Sequence, residues 1–322
     1  IAGALGATFS TANAYMADIS PPEMRAQNFG LVGAAFGVGF MMGPFLGGYL
    51  GEYGPRVPFI AAGIIAMINV IYGFIFLPET LSPENRRPFM WSRANPFGAV
   101  MALGRIRGVK GLIFVLFILA MAHTTYPSAY SFSIMEKLNW TSREVGVSLG
   151  AFGIASIIVQ GGLIRVIVPR IGLFWAGIMG MISATIAYIG LGFAYAGWMI
   201  YAMGPFAAFA GLYNPALSNM MSSRFGPSEQ GELQGAIGAA QGFALMIGPL
   251  AMTRIFEHFA AADADNYVPG APFYLAGTLS IIALITYLLV TNKDDRRLTP
   301  QANDPVVAEE AAPDDTQLTP LA

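Results

Sequence analysis

Long apolar stretches alternate with short polar ones along the whole chain. Seven stretches lack Asp, Glu, Lys and Arg altogether, at 1–17, 26–51, 57–78, 111–135, 145–164, 233–253 and 266–292. An eighth, 171–223, continues for 53 residues. A helix of about 20 apolar residues crosses a hydrocarbon core, so seven stretches fit one crossing each and the eighth fits two. The predicted spans are 1–17, 28–50, 57–77, 111–132, 145–166, 172–193, 198–221, 233–254 and 272–291. The pattern reads as an all-α polytopic membrane protein embedded in a lipid bilayer.

Composition narrows the function classes. The chain is 55% hydrophobic and 11% charged, with a mean hydropathy of +0.57, whereas soluble domains carry roughly 25% charged residues. Soluble enzymes, nucleic-acid binders and disulfide scaffolds are excluded on that ground. Cysteine is absent, and the two histidines, His123 and His258, stand too far apart for a metal motif. No metal, no cofactor and no catalytic residue is expected. The formal net charge of −2 matters less than its distribution.

Numbering the loops alternately puts 13 Lys and Arg on one side, counting the C-terminal tail, and 4 on the other: Arg56, Lys137, Arg143 and Arg254. The positive-inside rule then makes the richer side cytoplasmic. The C-terminus is expected inside, in an inner (plasma) membrane, and Ile1 outside. Trp140 and Trp198 fall at outer interfaces, as an aromatic belt requires. Residues 78–110 form a basic cytoplasmic linker, in which 95–107 suits either a membrane-surface helix or a solvated connector. Residues 292–322, rich in Asp, Glu, Pro and Ala, form a tail with little to bury and are expected to be disordered.

An internal repeat carries more information. Gly30, Gly33, Gly37, Gly43 and Pro44 recur as Gly235, Gly238, Gly242, Gly248 and Pro249, an offset of 205 residues. Both sets lie on spans that enter from the same side, and parallel repeats of this kind build one large class of secondary transporters. Glycines four apart, such as Gly33/Gly37 and Gly238/Gly242, bare the backbone so that a neighbouring helix can approach. The prolines remove a helical hydrogen bond and can bend the span. The same offset leaves spans 111–132, 145–166 and 172–193 without partners, which predicts three further helices upstream, about 95 residues. Residues 1–77 then hold three helices of an N-terminal half, and 111–291 hold a complete six-helix half. Nine of twelve helices are expected in the chain.

At this point the sequence resembles the major facilitator superfamily, and within it the tetracycline-resistance branch of drug/proton antiporters. Gly30-Leu31-Val32-Gly33 through Gly43-Pro44-Phe45-Leu46-Gly47-Gly48 is similar to the family's antiporter motif on the fifth helix. Ala14-Tyr15-Met16-Ala17-Asp18-Ile19 with Arg25-Ala26 resembles the end of the fourth helix and its loop, and Leu77-Pro78-Glu79 the end of the sixth. Ser148-Leu149-Gly150-Ala151-Phe152-Gly153-Ile154 resembles the eighth, and Gln230-Gly231-Glu232-Leu233-Gln234-Gly235 with Ile247-Gly248-Pro249-Leu250 the eleventh. The resemblance implies a monomeric exporter of small amphipathic compounds, including tetracycline-like drugs, driven by protons. The chain departs from the branch where a His in the eighth helix and an Asp in the ninth are expected. Those neighbourhoods read Ala155-Ser156-Ile157 and Ser183-Ala184-Thr185, and no predicted span holds an acid.

In this superfamily the first helix of each triplet lines the cavity. The pocket candidates are therefore Asn13 on 1–17, His123, Tyr126 and Tyr130 on 111–132, and Asn214 and Ser218 on 198–221, joined by Gln241 on 233–254. His123, Tyr126 and Tyr130 follow an i, i+3, i+7 spacing that places them on one helix face. A titrating imidazole suits proton exchange, although a hydrogen-bonded neutral histidine is the plainer role. Three other readings stay open: an uptake symporter for a sugar or organic anion, a membrane-embedded enzyme, or a structural helical scaffold. The Gly-Pro motif argues against the first. The second needs a convergent acid, base or nucleophile set, and the spans hold one His and no Asp, Glu or Cys.

Overall fold

The computed structural model describes residues 15–16, 19, 35, 38–39, 42–79, 109–224, 230–260 and 266–291, without the side chains of 165 and 230–232. Among these, every regular element is helical. Helix α1 covers 42–51. Gly54, at φ +133°, turns the chain into α2, Val57–Phe76, whose first-turn proline loses no helical hydrogen bond there. Helix α3, Lys110–His123, continues through a π-helical turn, Tyr126–Tyr130, into α4, Ser131–Leu138. Asn139 ends α4 in the left-handed conformation, φ 52°.

Helix α5, Ser142–Ile158, opens on a capping box. The Glu144 N–H donates to Thr141 Oγ1, and the Thr141 N–H donates to the Glu144 carboxylate at 2.7 Å, so two orphan donors of the first turn are satisfied. A second π-helical turn, Val159–Leu163, leads into α6, Ile164–Phe193. Gly172, at φ 80° and ψ 165°, breaks α6 where spans 145–166 and 172–193 were expected to part. Beyond it come α7, Gly197–Ala210; α8, Tyr213–Ser222; α9, Gln230–Ala260; and α10, Ala271–Val290.

Among the described residues, six stretches are long and apolar enough to cross a membrane: Val57–Phe76, Lys110–Leu138, Ser142–Leu163, Val166–Phe193, Leu233–Ala260 and Ala271–Val290. The expected span 198–221 is present as α7 and α8 in series, parted at Gly211 and Leu212. Most of the expected spans 1–17 and 28–50, nearly all of the 78–110 linker and nearly all of the 292–322 tail lie outside the described residues.

Helix α6 is the hub, packed against α10, α7 and α8, while α3 packs against α10 and α9, and α5 against α7. One core level gathers Leu112, Leu116, Phe174, Met220 and Tyr287. A second gathers Ala122, Tyr130, Ile134, Phe152, Tyr188 and Phe273. Tyr287 fixes the first level: its hydroxyl donates to the Phe174 carbonyl at 3.2 Å, and its ring stacks on Phe174 at 5.5 Å.

The repeated glycines do not all pack as expected. A Cβ added at Gly43, Gly235, Gly238 or Gly242 meets no atom within 4 Å, because no described element faces those rungs. Gly30, Gly33 and Gly37 lie outside the described residues. The close approach of α1 falls instead on Gly48, whose added Cβ would lie 2.5 Å from the Ser142 carbonyl oxygen and 2.8 Å from Gly146 Cα. The carbonyl of Pro44 bears on Gly146 in the same way, at 2.7 Å. Gly248 does pack closely, against the Thr124 side chain, with its added Cβ 2.8 Å from Thr124 Cγ2. Pro249 is accommodated inside α9, and its carbonyl accepts from Thr253 Oγ1 at 2.8 Å.

Candidate functional site

Two prolines shape the centre of the bundle. A helical proline lacks the N–H of its own residue and crowds the carbonyl four residues earlier. Pro127 thus acts on His123, where α3 ends, and Pro215 acts on Gly211, just past the end of α7. Both interruptions fall among the candidate residues, and π-helical turns and broken helices recur at ligand sites. The second π-helical turn brings a further polar group: the Gln160 amide packs on Gly211, 2.9 Å from the position of an added Cβ. Gln160 was missed in the sequence, where a lone Gln before Gly161-Gly162 is hidden in an apolar run.

Around these breaks the side chains sort by exposure. His123, Gln160 and Asn214 are exposed, while Tyr126, Tyr213, Ser218 and Gln241 are half-buried. Tyr130 departs from the expected shared face. The π-helical turn inserts one residue per turn and rotates the residues beyond it, so Tyr130 is fully buried and its hydroxyl pairs with Ser148 Oγ at 2.8 Å. Asn13 lies outside the described residues. Ser218 Oγ donates to Asn214 Oδ1 at 3.5 Å, and Asn219 Nδ2 donates to the Pro215 carbonyl at 3.1 Å, inside the turn that the proline opens.

An aromatic chain joins the open face to the core. His123 and Tyr126 lie 5.7 Å apart between ring centroids, Tyr126 and Tyr188 5.5 Å, and Tyr126 and Tyr130 6.0 Å. Phe152 presents an edge to Tyr126 at 6.3 Å. Tyr188 on α6 was not anticipated, since a tyrosine in an apolar run gives no sign of the way it points. Behind this wall, Thr125 Oγ1 donates to Met252 Sδ at 3.1 Å and ties α9 to the break after α3. Among the described residues no group of three His, Cys, Asp or Glu converges as a metal site would require.

The charged groups stand at helix ends. Lys137 Nζ donates to the carbonyls of Leu191 and Gly192, at 2.9 and 2.7 Å, at the C-terminal end of α6, where a cation meets the negative end of the helix dipole. The Tyr267 hydroxyl donates to the Glu136 carboxylate at 2.5 Å. Arg143 lies over the Tyr49 ring, 5.4 Å from its centroid, beside the Gly48–Gly146 approach. The arrangement is a polar, aromatic wall with uncharged hydrogen-bonding groups at its centre.

A family model described as Major Facilitator Superfamily matches residues 1–249 and 112–313. The chain belongs to that superfamily. It is 33% identical to the class C tetracycline resistance protein of Escherichia coli, over 85% of this chain and 69% of that protein. It is 31% identical to the class G tetracycline resistance protein of Vibrio anguillarum, over 85% and 70%. Hippocampus abundant transcript 1 protein of Homo sapiens is 25% identical, over 90% of this chain and 65% of that protein. The fold matches the crystal structure of the human organic anion transporter MFSD10 (TETRAN), with a TM-score of 0.60 and 22% identity, covering 87% of this chain and 67% of that one. The chain is a multi-pass, tetracycline-resistance-like transporter of the superfamily, acting on small molecules, and not an enzyme.

Proposed function

We propose that this superfamily member exports small amphipathic compounds in exchange for protons, by alternating access. The observation that carries the reading is the coincidence of two proline-interrupted helices with one polar, aromatic wall. Aromatic surface tolerates varied planar ligands, and a few hydrogen-bonding groups orient them. His123, Tyr126, Asn214 and Gln241 are the residues expected to meet substrate. The similarity to tetracycline resistance proteins and to an organic anion transporter supports the amphipathic class. The absence of acids from the spans predicted from the sequence leaves tetracycline itself as one candidate within it.

In this reading the protein is a monomer in the inner membrane with a cytoplasmic C-terminus. Residues 1–77 belong to one half and 111–291 to the other, linked by 78–110. The halves rock about the midplane site, and the Gly48–Gly146 approach is their closing seam. Here backbone meets backbone, so the seam can open and close without unpacking large side chains.

The test uses the purified protein in proteoliposomes with an imposed pH gradient. Export predicts that a fluorescent amphiphile moves against the direction of proton flow and that an uncoupler abolishes its movement. Movement with the protons would show symport and overturn the reading. His123→Gln keeps hydrogen bonding and removes titration. A retained pH profile in that variant places the coupling group elsewhere, while a flattened one assigns it to His123.

A further inference from the structure

Arg143 stands where two independent trends disfavour a cation. It is the second residue of α5, Ser142–Ile158, at the positive end of the helix dipole, which repels a guanidinium. It also belongs to the set of loops that holds 4 of the 17 Lys and Arg, on the side that the positive-inside rule leaves poor in charge. The acid beside it does not neutralise it. The Glu144 carboxylate accepts from the Thr141 N–H and hydroxyl, at 2.7 and 2.9 Å. Among the described residues no carboxylate forms an ion pair with Arg143.

The partner of Arg143 lies across the seam. Its guanidinium stands over the Tyr49 ring of α1, 5.4 Å from the centroid. The seam beneath is close but weakly held. Gly48 and the Pro44 carbonyl both bear on Gly146, an added Cβ at Gly51 would lie 3.3 Å from Ser142 Cβ, and one at Gly150 would lie 3.4 Å from Phe45 Cβ. No hydrogen bond among the described residues joins α1 to α5. The Arg143–Tyr49 pair is thus the one charged contact across the seam among the described residues, at the end where α5 begins.

We propose that Arg143 on Tyr49 is a latch that holds the two halves together at this mouth of the transporter, biasing alternating access toward the state closed there. In the orientation proposed above it is the outer mouth, and the latch rests on that transport reading for the motion it restrains. A cation–π pair suits the task because it is weak when exposed, equivalent to a bias of about two- to fivefold. Alternation needs two states of similar free energy. A bias of a few fold leaves both populated, whereas a tightly held buried charge pair would trap one of them. Arginine suits the position better than lysine, since a planar guanidinium stacks on an aromatic face.

The protein has no cysteine, so a single introduced thiol reports alone. Ser142→Cys puts one in the seam, and Ser280→Cys puts one in the fully buried contact of α10 with α6. The rate of reaction with a membrane-impermeant maleimide is measured on the purified protein, in detergent and in proteoliposomes of known orientation. Tyr49→Leu should speed labelling at position 142 about two- to fivefold, and Tyr49→Phe, which keeps the ring face, should match the parent. Where Arg143→Gln is already present, Tyr49→Leu should add nothing, because the pair is already lost. Comparison within that background also cancels the effect of the neighbouring charge on the thiol. Labelling at position 280 should keep the parent rate throughout, since a latch loosens the seam and not the bundle.

A Tyr49→Leu effect that survives in the Arg143→Gln background overturns the latch, and so does the absence of an effect in either background. A parallel rise at position 280 also overturns it, because general loss of packing would then explain the labelling. The side of attack tests the reading beneath. Pair-dependent labelling that enters from the cytoplasmic face overturns the proposed orientation and leaves the latch standing. Pair-dependent labelling in a protein that moves no amphiphile overturns export and likewise leaves the latch standing.

Discussion

Helices α2 and α10 are close to equivalent as sequences and opposite as structures. Both have 20 residues, a proline in the first turn and no charge. Yet α10 buries Phe273, Ala276, Gly277, Ser280, Ala283 and Tyr287 among its inward residues, while α2 buries none against the described residues. Phe74 of α2 is 91% exposed and Tyr287 of α10 is fully enclosed. Apolar composition therefore decides that a segment enters the bilayer and says little about what it packs against there. In lipid, apolar burial gives no extra drive between helices, so association rests on shape and polar pairing. Helix α10 has that shape, with Gly277 set against Ile189 and the Tyr287 hydroxyl reaching Phe174.

The largest effect expected from this contrast is at Tyr287. Tyr287→Ala removes the ring stacked on Phe174 and opens a cavity in the core, a loss of about 3–5 kcal/mol for a buried aromatic. Tyr72→Ala in α2 should cost less than about 0.5 kcal/mol. Thermal unfolding of the detergent-purified protein checks both. Equal losses would show that α2 is packed as deeply as α10.

The next effect concerns the seam between α1 and α5. Gly48→Leu pushes a branched side chain into the Ser142 carbonyl and the Gly146 backbone, so transport by the full-length chain should fall at least tenfold, with membrane insertion retained. Gly43→Leu, which meets no described atom, should retain most of its activity. The reverse order would move the seam one helical turn along α1.

This pair marks how far the sequence could be read. The charge-free runs located most spans within 111–291 because charged ends punctuate them, and the Gly-Pro repeat was legible because five positions match at one offset. Which glycine rung meets a neighbour was not legible. A spacing of four defines a face, and the crossing point depends on the partner helix. Nor was the burial of Tyr130, because a π-helical turn shifts register by a residue and no local pattern announces it. His123, Tyr126 and Asn214 lie beside the breaks at Pro127 and Pro215, which the predicted spans 111–132 and 198–221 run through without interruption. Gln160 and Tyr188 escaped because single polar residues in apolar runs carry no direction.

A smaller effect sharpens the contrast at glycines without a motif. Gly180→Ala places a methyl 2.6 Å from the Tyr213 backbone nitrogen and 3.2 Å from the Ala210 carbonyl oxygen. Backbone cannot swing aside as a flexible side chain would, so α8 must shift, at a cost of about 1–3 kcal/mol. Gly63→Ala in α2 meets nothing within 4 Å and should stabilise the helix by up to about 1 kcal/mol. Melting temperatures should move in opposite directions. A stable Gly180→Ala would mean that α6 and α8 are less closely packed than these distances require.

The smallest effect lies at the loops, where α4 is tied to the segment before α10. The Tyr267 hydroxyl donates to the Glu136 carboxylate, and this bond is the first cause raising the tyrosine above its ordinary value of 10.0. A phenol whose folded pKa is raised holds its proton more tightly in the folded state. Its contribution to stability is full below the unfolded value and is lost as pH rises through the folded one. The side chain is exposed, so solvent screening keeps the contribution slight. Tyr267→Phe should therefore melt slightly below the parent at pH 7 to 9. The two curves should converge above about pH 10, where the parent loses the same bond by ionisation. A gap that persists unchanged to high pH would show that Tyr267 acts through its ring alone, and that the loop tie is apolar packing like that of the helices it joins.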